Sequence, residues 1–186
     1  MYRISKSIRT KRSAALICEA LEKCLEEKPF DKITIEDIRE RCFVSRATFY
    51  RLFDELADVL SYECDNIFEE RLRLAKSHEF ADKKDRALYC IKIWLNHANL
   101  MKALVENNLC RILFNTHKKN ADLLKKLYPI PFTDEKKADY FISILSSSIC
   151  SALAIYFKHG ATEPIEDVYA AVCECMNVIS ESFSAR

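Results

Sequence analysis

Glycine is almost missing from this chain. One glycine and four prolines serve 186 residues, and a sheet needs turn residues that such a chain cannot supply, which excludes a hairpin-built β fold. A single glycine also excludes the Gly-rich loops that cradle phosphates in nucleotide enzymes. Net charge is nearly absent too: a formal +1 gives the whole molecule no pull toward nucleic acid or an anionic membrane, so an electrostatic partner must meet a local patch. No segment approaches the ~20 apolar residues of a membrane span, and the basic N-terminus lacks the apolar run of a signal peptide. The expectation is a soluble, cytoplasmic chain with no membrane partner.

The nine cysteines contain no CxxC pair. They fall within apolar helical patterns and read as small core hydrophobes in a reducing cytosol. Cys173 and Cys175 stand two apart, about 200° of helical rotation, which points their thiols away from each other. There is no His/Glu pair at metal spacing and no Ser/His/Asp arrangement, so no catalytic residue, metal or cofactor is expected and a helical enzyme is disfavoured.

What is present is 49% hydrophobic residues spaced for helices, giving an all-α expectation. Residues 1 to 12 carry Arg3, Lys6, Arg9, Lys11 and Arg12 with no acid, a basic arm suited to lying along phosphates. Ala14, Ile17, Cys18, Leu21, Cys24 and Leu25 then mark an amphipathic helix that ends near Lys28-Pro29. Thr34, with Asp37 three residues on, caps a second helix that turns Ile35, Ile38 and Cys42 inward; Ser45 caps a third that runs to Leu52 or Phe53. Two short helices joined by a tight turn form a helix-turn-helix pattern. The first turns of such a second helix meet base edges. Arg46 and Arg51 are suited to guanine, Ala47 allows close approach, Thr48 and Tyr50 can donate to phosphates, and Phe49 and Phe53 face the core.

Beyond this unit a long helix runs from Glu55 to about Ser77, and the segment Ala87–Leu95 is apolar nearly all round and so should be covered on several sides. Helical patterns continue through Leu100 to His117, with a break at Asn107-Asn108, and on to Leu127; YPIPFTD (128–134) is the clearest loop. A helix from about Asp134 to Gly160 carries a small-residue stripe, Ser143, Ser147, Ser151 and Ala154, opposite a bulky one, Ile142, Leu145, Ile149, Leu153 and Tyr156. Both faces are expected to be buried. The last helix begins near Thr162-Glu163-Pro164 and sets Ile165, Val168, Tyr169, Val172, Met176 and Ile179 on one side. The stripe, with Val168 and Val172, is the expected interface of a homodimer. Trp94, His97, His117 and Tyr140 are the candidate small-molecule pocket, because apolar helices with a few polar groups suit such sites.

The stretch ITIEDIRERCFVSRATFYRLFDELADVL, with its Thr-capped helix, Val-Ser, Thr-Phe-Tyr and following Phe, resembles the DNA-binding domain of the TetR family of transcriptional regulators. The resemblance spans residues 8 to about 68, with the helix-turn-helix at about 34–53, residues 1–7 as an arm and 69–186 as a larger helical ligand-binding and dimerisation domain. It implies a dimer held by the last two helices and bound to double-stranded DNA at a pseudo-palindromic operator. It also implies repression relieved or retuned by a small-molecule effector. By position, Thr34, Ser45, Thr48 and Tyr50 become phosphate or capping residues, with Arg46, Ala47 and Arg51 nearest the bases. Two departures stand out. Phe43 occupies the turn where the family usually has Gly, at a cost on the order of 1 kcal/mol if its φ is positive. Leu56, flanked by Asp54, Glu55 and Asp58, replaces a phosphate-binding Lys, so Arg9, Lys11 and Arg12 are expected to compensate. Those acids also leave open a helical interaction module without DNA binding.

Overall fold

The computed structural model of the protein describes residues 1–5, 7–75, 77–127 and 134–184. Lys6 and residues 128–133, where the clearest loop was expected, lie outside that set, and no strand occurs among the described residues. α1 (Ile8–Glu27) buries Ala14, Ile17, Ala20, Leu21 and Cys24 along one stripe and ends at Lys28, where the following Pro29 disfavours helical backbone. A 3-10 turn (Phe30–Lys32) leads to α2 (Ile35–Cys42). The Thr34 side chain accepts from the Asp37 N–H at 3.2 Å, and Asp37 Oδ2 accepts from the Thr34 N–H at 2.7 Å, a full capping box. Asp37 also takes the Lys28 ammonium at 2.7 Å, which ties the end of α1 to the start of α2. α3 (Arg46–Leu52) follows, with Phe49, Leu52 and Phe53 sealed beneath it. Each such side chain contributes on the order of 2 kcal/mol by leaving water, and cutting Phe49 to Ala would cost about 3–5 kcal/mol.

α4 (Leu56–Ala75) connects this unit to the larger half. There α5 (Lys83–Leu95), α6 (Ala98–Glu106), α7 (Arg111–Lys119) and α8 (Ala121–Leu127) precede the long α9 (Glu135–Lys158) and α10 (Ile165–Ser184). The expected break after α6 is real: Asn108 adopts φ 57°, a region that Asn tolerates better than most residues. Gly160, at φ 82°, ends α9. α4 packs on α7 and α8, α9 on α6 and α7, and α10 lies on α5 and α9. One apolar core runs from Ala14 in α1 to Leu153 in α9, so the two halves share an interior.

Three expectations change. α5 is only partly enclosed: Cys90, Ile93 and Trp94 are buried, while Ala87, Leu88, Tyr89 and Ile91 are half-buried. The small-residue stripe of α9 is largely open to solvent in the single chain, with Ser143, Ser147 and Ser151 exposed and Ala154 half-buried. α9 is also, by length and composition alone, apolar enough to cross a membrane; its bulky face instead sits in the protein core through Ile142, Ile149 and Leu153.

Candidate nucleic-acid interface

The turn between α2 and α3 is made by Phe43 in the left-handed region, φ 54° and ψ 23°. Its ring is 94% exposed, so no packing offsets the backbone strain. Ser45 then starts α3: its Oγ accepts from the Thr48 N–H at 3.2 Å and donates toward Thr48 Oγ1 at 3.0 Å. That cap fixes the alternation along the helix. Phe49 turns inward, while Arg46, Ala47, Tyr50 and Arg51 are exposed and Thr48 is half-buried. The Arg46 guanidinium lies over the Tyr50 ring at 5.6 Å, and Tyr50 stands edge-on to Phe49 at 5.6 Å. Arg51 reaches Thr48 Oγ1 at 3.4 Å.

Charge pairing divides the cations of this unit. Arg3, Lys23, Lys28, Lys32, Arg39 and Arg41 pair with Asp54, Glu19, Asp37, Asp31, Glu36 and Glu27. Lys28 and the Thr34 hydrogen bonds hold the Asp37 carboxyl well below the usual carboxylate range. Among the described residues up to Leu60, Arg9, Lys11, Arg12, Arg46 and Arg51 are the cations that make no ion pair. Arg9, Lys11 and Arg12 lie in the first turns of α1, which begins at Ile8, and all three are exposed.

The residues before α1 do not form a free arm. The Arg3 N–H donates to the Leu52 carbonyl at 2.7 Å, at the end of α3, and its guanidinium pairs with Asp54. Asp58, buried at the start of α4, accepts from the Asp54 and Glu55 N–H groups at 2.9 and 3.3 Å and from the Met1 amino group at 2.7 Å. The acids expected to repel DNA near Leu56 are therefore largely engaged within the chain. Tyr2 rests on Tyr62, and its hydroxyl donates to Asp65 Oδ2 at 2.5 Å. Asp65 also accepts from Lys119 at 2.7 Å and from Thr116 at 2.6 Å. This strap joins α3, α4 and α7, and sequence reading missed it because its members lie 49 to 117 positions apart.

The candidate pocket residues divide. Trp94 and His117 come together in a sealed aromatic cluster, each in contact with Phe68, at 5.4 and 4.6 Å between ring centres. Burial pushes the His117 imidazole down to about 3, so it is neutral. Ser146 Oγ donates to the Ile142 carbonyl at 2.7 Å and lies 2.8 Å from His117 Nδ1; with the hydroxyl proton used, Nδ1 carries the imidazole proton and donates. His97 instead starts α6, 3.7 Å from Glu22, and Tyr140 is 72% exposed. The structure does not bring these two into the cluster. An apolar cavity of about 140 Å³ lies between α5, α9 and α10, lined by Cys90, Ile91, Leu145, Ile149, Val168 and Val172. An open groove along α9 and α10 includes Ser151, Ile155, Val172 and Met176. No described residue of α10 is fully buried. Glu63 was not anticipated: it is buried on α4, and burial, with a hydrogen bond to Glu22, pushes its carboxyl up to about 9.

Residues 17–60 match the family model described as bacterial regulatory proteins, tetR family. No curated protein matches the sequence. Among solved structures the chain is similar to Lin0861 from Listeria innocua, with 18% identity over 95% of each chain and a TM-score of 0.71. It is also similar to a TetR transcriptional regulator from Streptococcus agalactiae 2603V, with 17% identity, covering 87% of this chain and 92% of that one, at a TM-score of 0.57. At such identities the two structures speak for the fold alone, and the family match rests on residues 17–60, which carry the helix-turn-helix unit of the tetR family's regulatory proteins.

Proposed function

We propose that the protein is a homodimeric, sequence-specific DNA-binding repressor in the cytoplasm. Its two α3 helices enter successive major grooves of a pseudo-palindromic operator about 34 Å apart. The observation that carries this reading is the selective pairing of charge. Every described cation of the helix-turn-helix unit is neutralised by an acid except Arg9, Lys11, Arg12, Arg46 and Arg51, and unpaired cations release counterions when they meet phosphate. Arg46, Ala47 and Arg51 face the bases, and Thr48 and Tyr50 the phosphates, while Thr34 and Ser45 fix the helices that present them.

The exposed stripe of α9 and the unburied apolar residues of α10, Met176, Val178 and Ile179, support a dimer seam that includes Ser143, Ser147, Ser151, Ala154, Val168 and Val172. The apolar cavity between α5, α9 and α10 borders that seam and suits a small apolar effector. An effector that fits one spacing of the reading heads better than the other would shift operator occupancy. The test is operator binding by Tyr50→Ala, with the operator selected from random duplexes by the wild-type protein. Affinity should fall roughly tenfold or more with the thermal transition unchanged; equal affinity in a titration by fluorescence anisotropy removes α3 from the interface.

A further inference from the structure

Two of the nine cysteines meet. Cys110 immediately precedes α7 and is half-exposed, while Cys150 lies mid-way along α9 and is 6% exposed. The His117–Ser146 hydrogen bond sets the register of these two helices at one point. Seven residues back along the chain from His117, and one turn on from Ser146, that register brings Cys110 and Cys150 to the same cavity. The cavity measures about 290 Å³ and is lined also by Arg111, Phe114, Ser143 and Ser147. Both cysteines thus line one space, and burial, and then the neighbouring Cys110, raise the Cys150 thiol above its ordinary range.

We infer that Cys110 and Cys150 form a dithiol site for hydroperoxides, with Cys110 as the attacking sulfur and Cys150 as the resolving one. The difference in exposure assigns the roles, since the oxidant reaches the half-exposed Cys110 before the buried Cys150, and the two line one cavity. The Cys110 sulfur, as thiolate, attacks the terminal oxygen of ROOH; the O–O bond breaks, and the alkoxide takes the proton that Cys110 has lost and leaves as ROH. Cys110 is now a sulfenic acid. The Cys150 sulfur attacks the Cys110 sulfur, an S–S bond forms, and hydroxide departs with the Cys150 proton as water. Two electrons pass from the two thiols to the peroxide. Arg111 also lines the cavity and adds a cation to the charge around the departing alkoxide. The product joins α7 to α9 by a covalent bond beside the small-residue stripe.

Trypsin releases Cys110 in peptide 103–111 and Cys150 in peptide 138–158, each with one cysteine, so a linked pair identifies the bond. Full-length reduced protein is exposed to equimolar hydrogen peroxide under native conditions, alkylated and digested without reductant. The expected result is a linked 103–111/138–158 species, lighter by two hydrogens than the sum of its parts and lost on adding dithiothreitol. It should exceed every other pairing, including those of the exposed Cys175. In Cys150→Ser, or Cys150→Ala if the first folds poorly, Cys110 should stop at the sulfenic acid and be trapped by dimedone. Recovery of Cys110 and Cys150 as fully alkylated thiols, while Cys175 is oxidised, would overturn the proposal, as would dominance of any other pair.

Discussion

Phe43→Gly should stabilise the protein, which is unusual for removing a large apolar side chain. The ring is 94% exposed and the backbone is held at φ 54°, so the substitution loses almost no burial and relieves a left-handed conformation worth about 1–2 kcal/mol. Against this, glycine loses roughly 0.5–1 kcal/mol more backbone entropy on folding. The net gain is therefore about 0.5–1 kcal/mol, and for a chain of this size a kilocalorie moves the midpoint by roughly 2–4 °C. Phe43→Ala is the control, because it removes the ring but keeps the Cβ that causes the strain. Thermal unfolding of the three proteins by circular dichroism should place Gly above wild type by about 2 °C and leave Ala beside wild type. An Ala variant as stable as Gly, or a Gly variant below wild type, would refute the assignment of strain to this turn.

Three further outcomes follow from particular contacts. Glu63 ionises near 4.5 in the unfolded chain but near 9 in the folded one, so the stability it allows below pH 4.5 is lost as pH rises toward 9. Glu63→Gln keeps the donor to Glu22 without the proton uptake, and should gain on the order of 2–3 kcal/mol at pH 7 and flatten the decline in urea midpoint from pH 6 to 8.5; a variant with the wild-type pH slope contradicts the buried carboxyl. Asp65→Asn strands the Lys119 charge and releases Tyr2, at a cost of about 1–3 kcal/mol, and the Arg3 amide should exchange faster with deuterium; unchanged protection there would show that the strap is held elsewhere. Ser147→Glu, on the exposed stripe of α9, should shift light scattering toward the monomer mass at equal stability of the fold, whereas an intact dimer moves the seam off this face.

The parts of this fold that were legible in the sequence are those set by residues within a few positions of each other. Thr34 with Asp37, and Ser45 with Thr48, are caps whose partners lie three residues on, and Phe49 and Phe53 share a face because a helix repeats every 3.6 residues. Phe43 was legible as a departure from a pattern, which left either a strained turn or a different geometry open, and the backbone is left-handed there. The strap was not legible, because Tyr2, Asp65 and Lys119 carry no local sign of their meeting. Glu63 left a trace that was not read: it stands between Leu60 and Ile67 on the buried stripe of α4, where a charge is out of place. The small face of α9, expected to be covered, is open in the single chain, because small residues tell how closely a neighbour can approach and not whether that neighbour belongs to the same chain. Trp94, His97, His117 and Tyr140 were chosen as pocket residues by type alone, with no spacing to support them; Trp94 and His117 meet in a sealed cluster, and His97 and Tyr140 lie elsewhere.

The aromatic cluster also equips the protein with its own signal. Trp94 is the one tryptophan in the sequence, sealed from water and stacked on Phe68 at an angle of 13° with His117 alongside. All of the indole emission therefore comes from the point where α4, α5 and α7 meet, in a dry setting that gives blue-shifted light. Local opening of those helices admits water to the ring and moves the emission to the red, so a fluorimeter can follow the junction between the two halves without any attached dye.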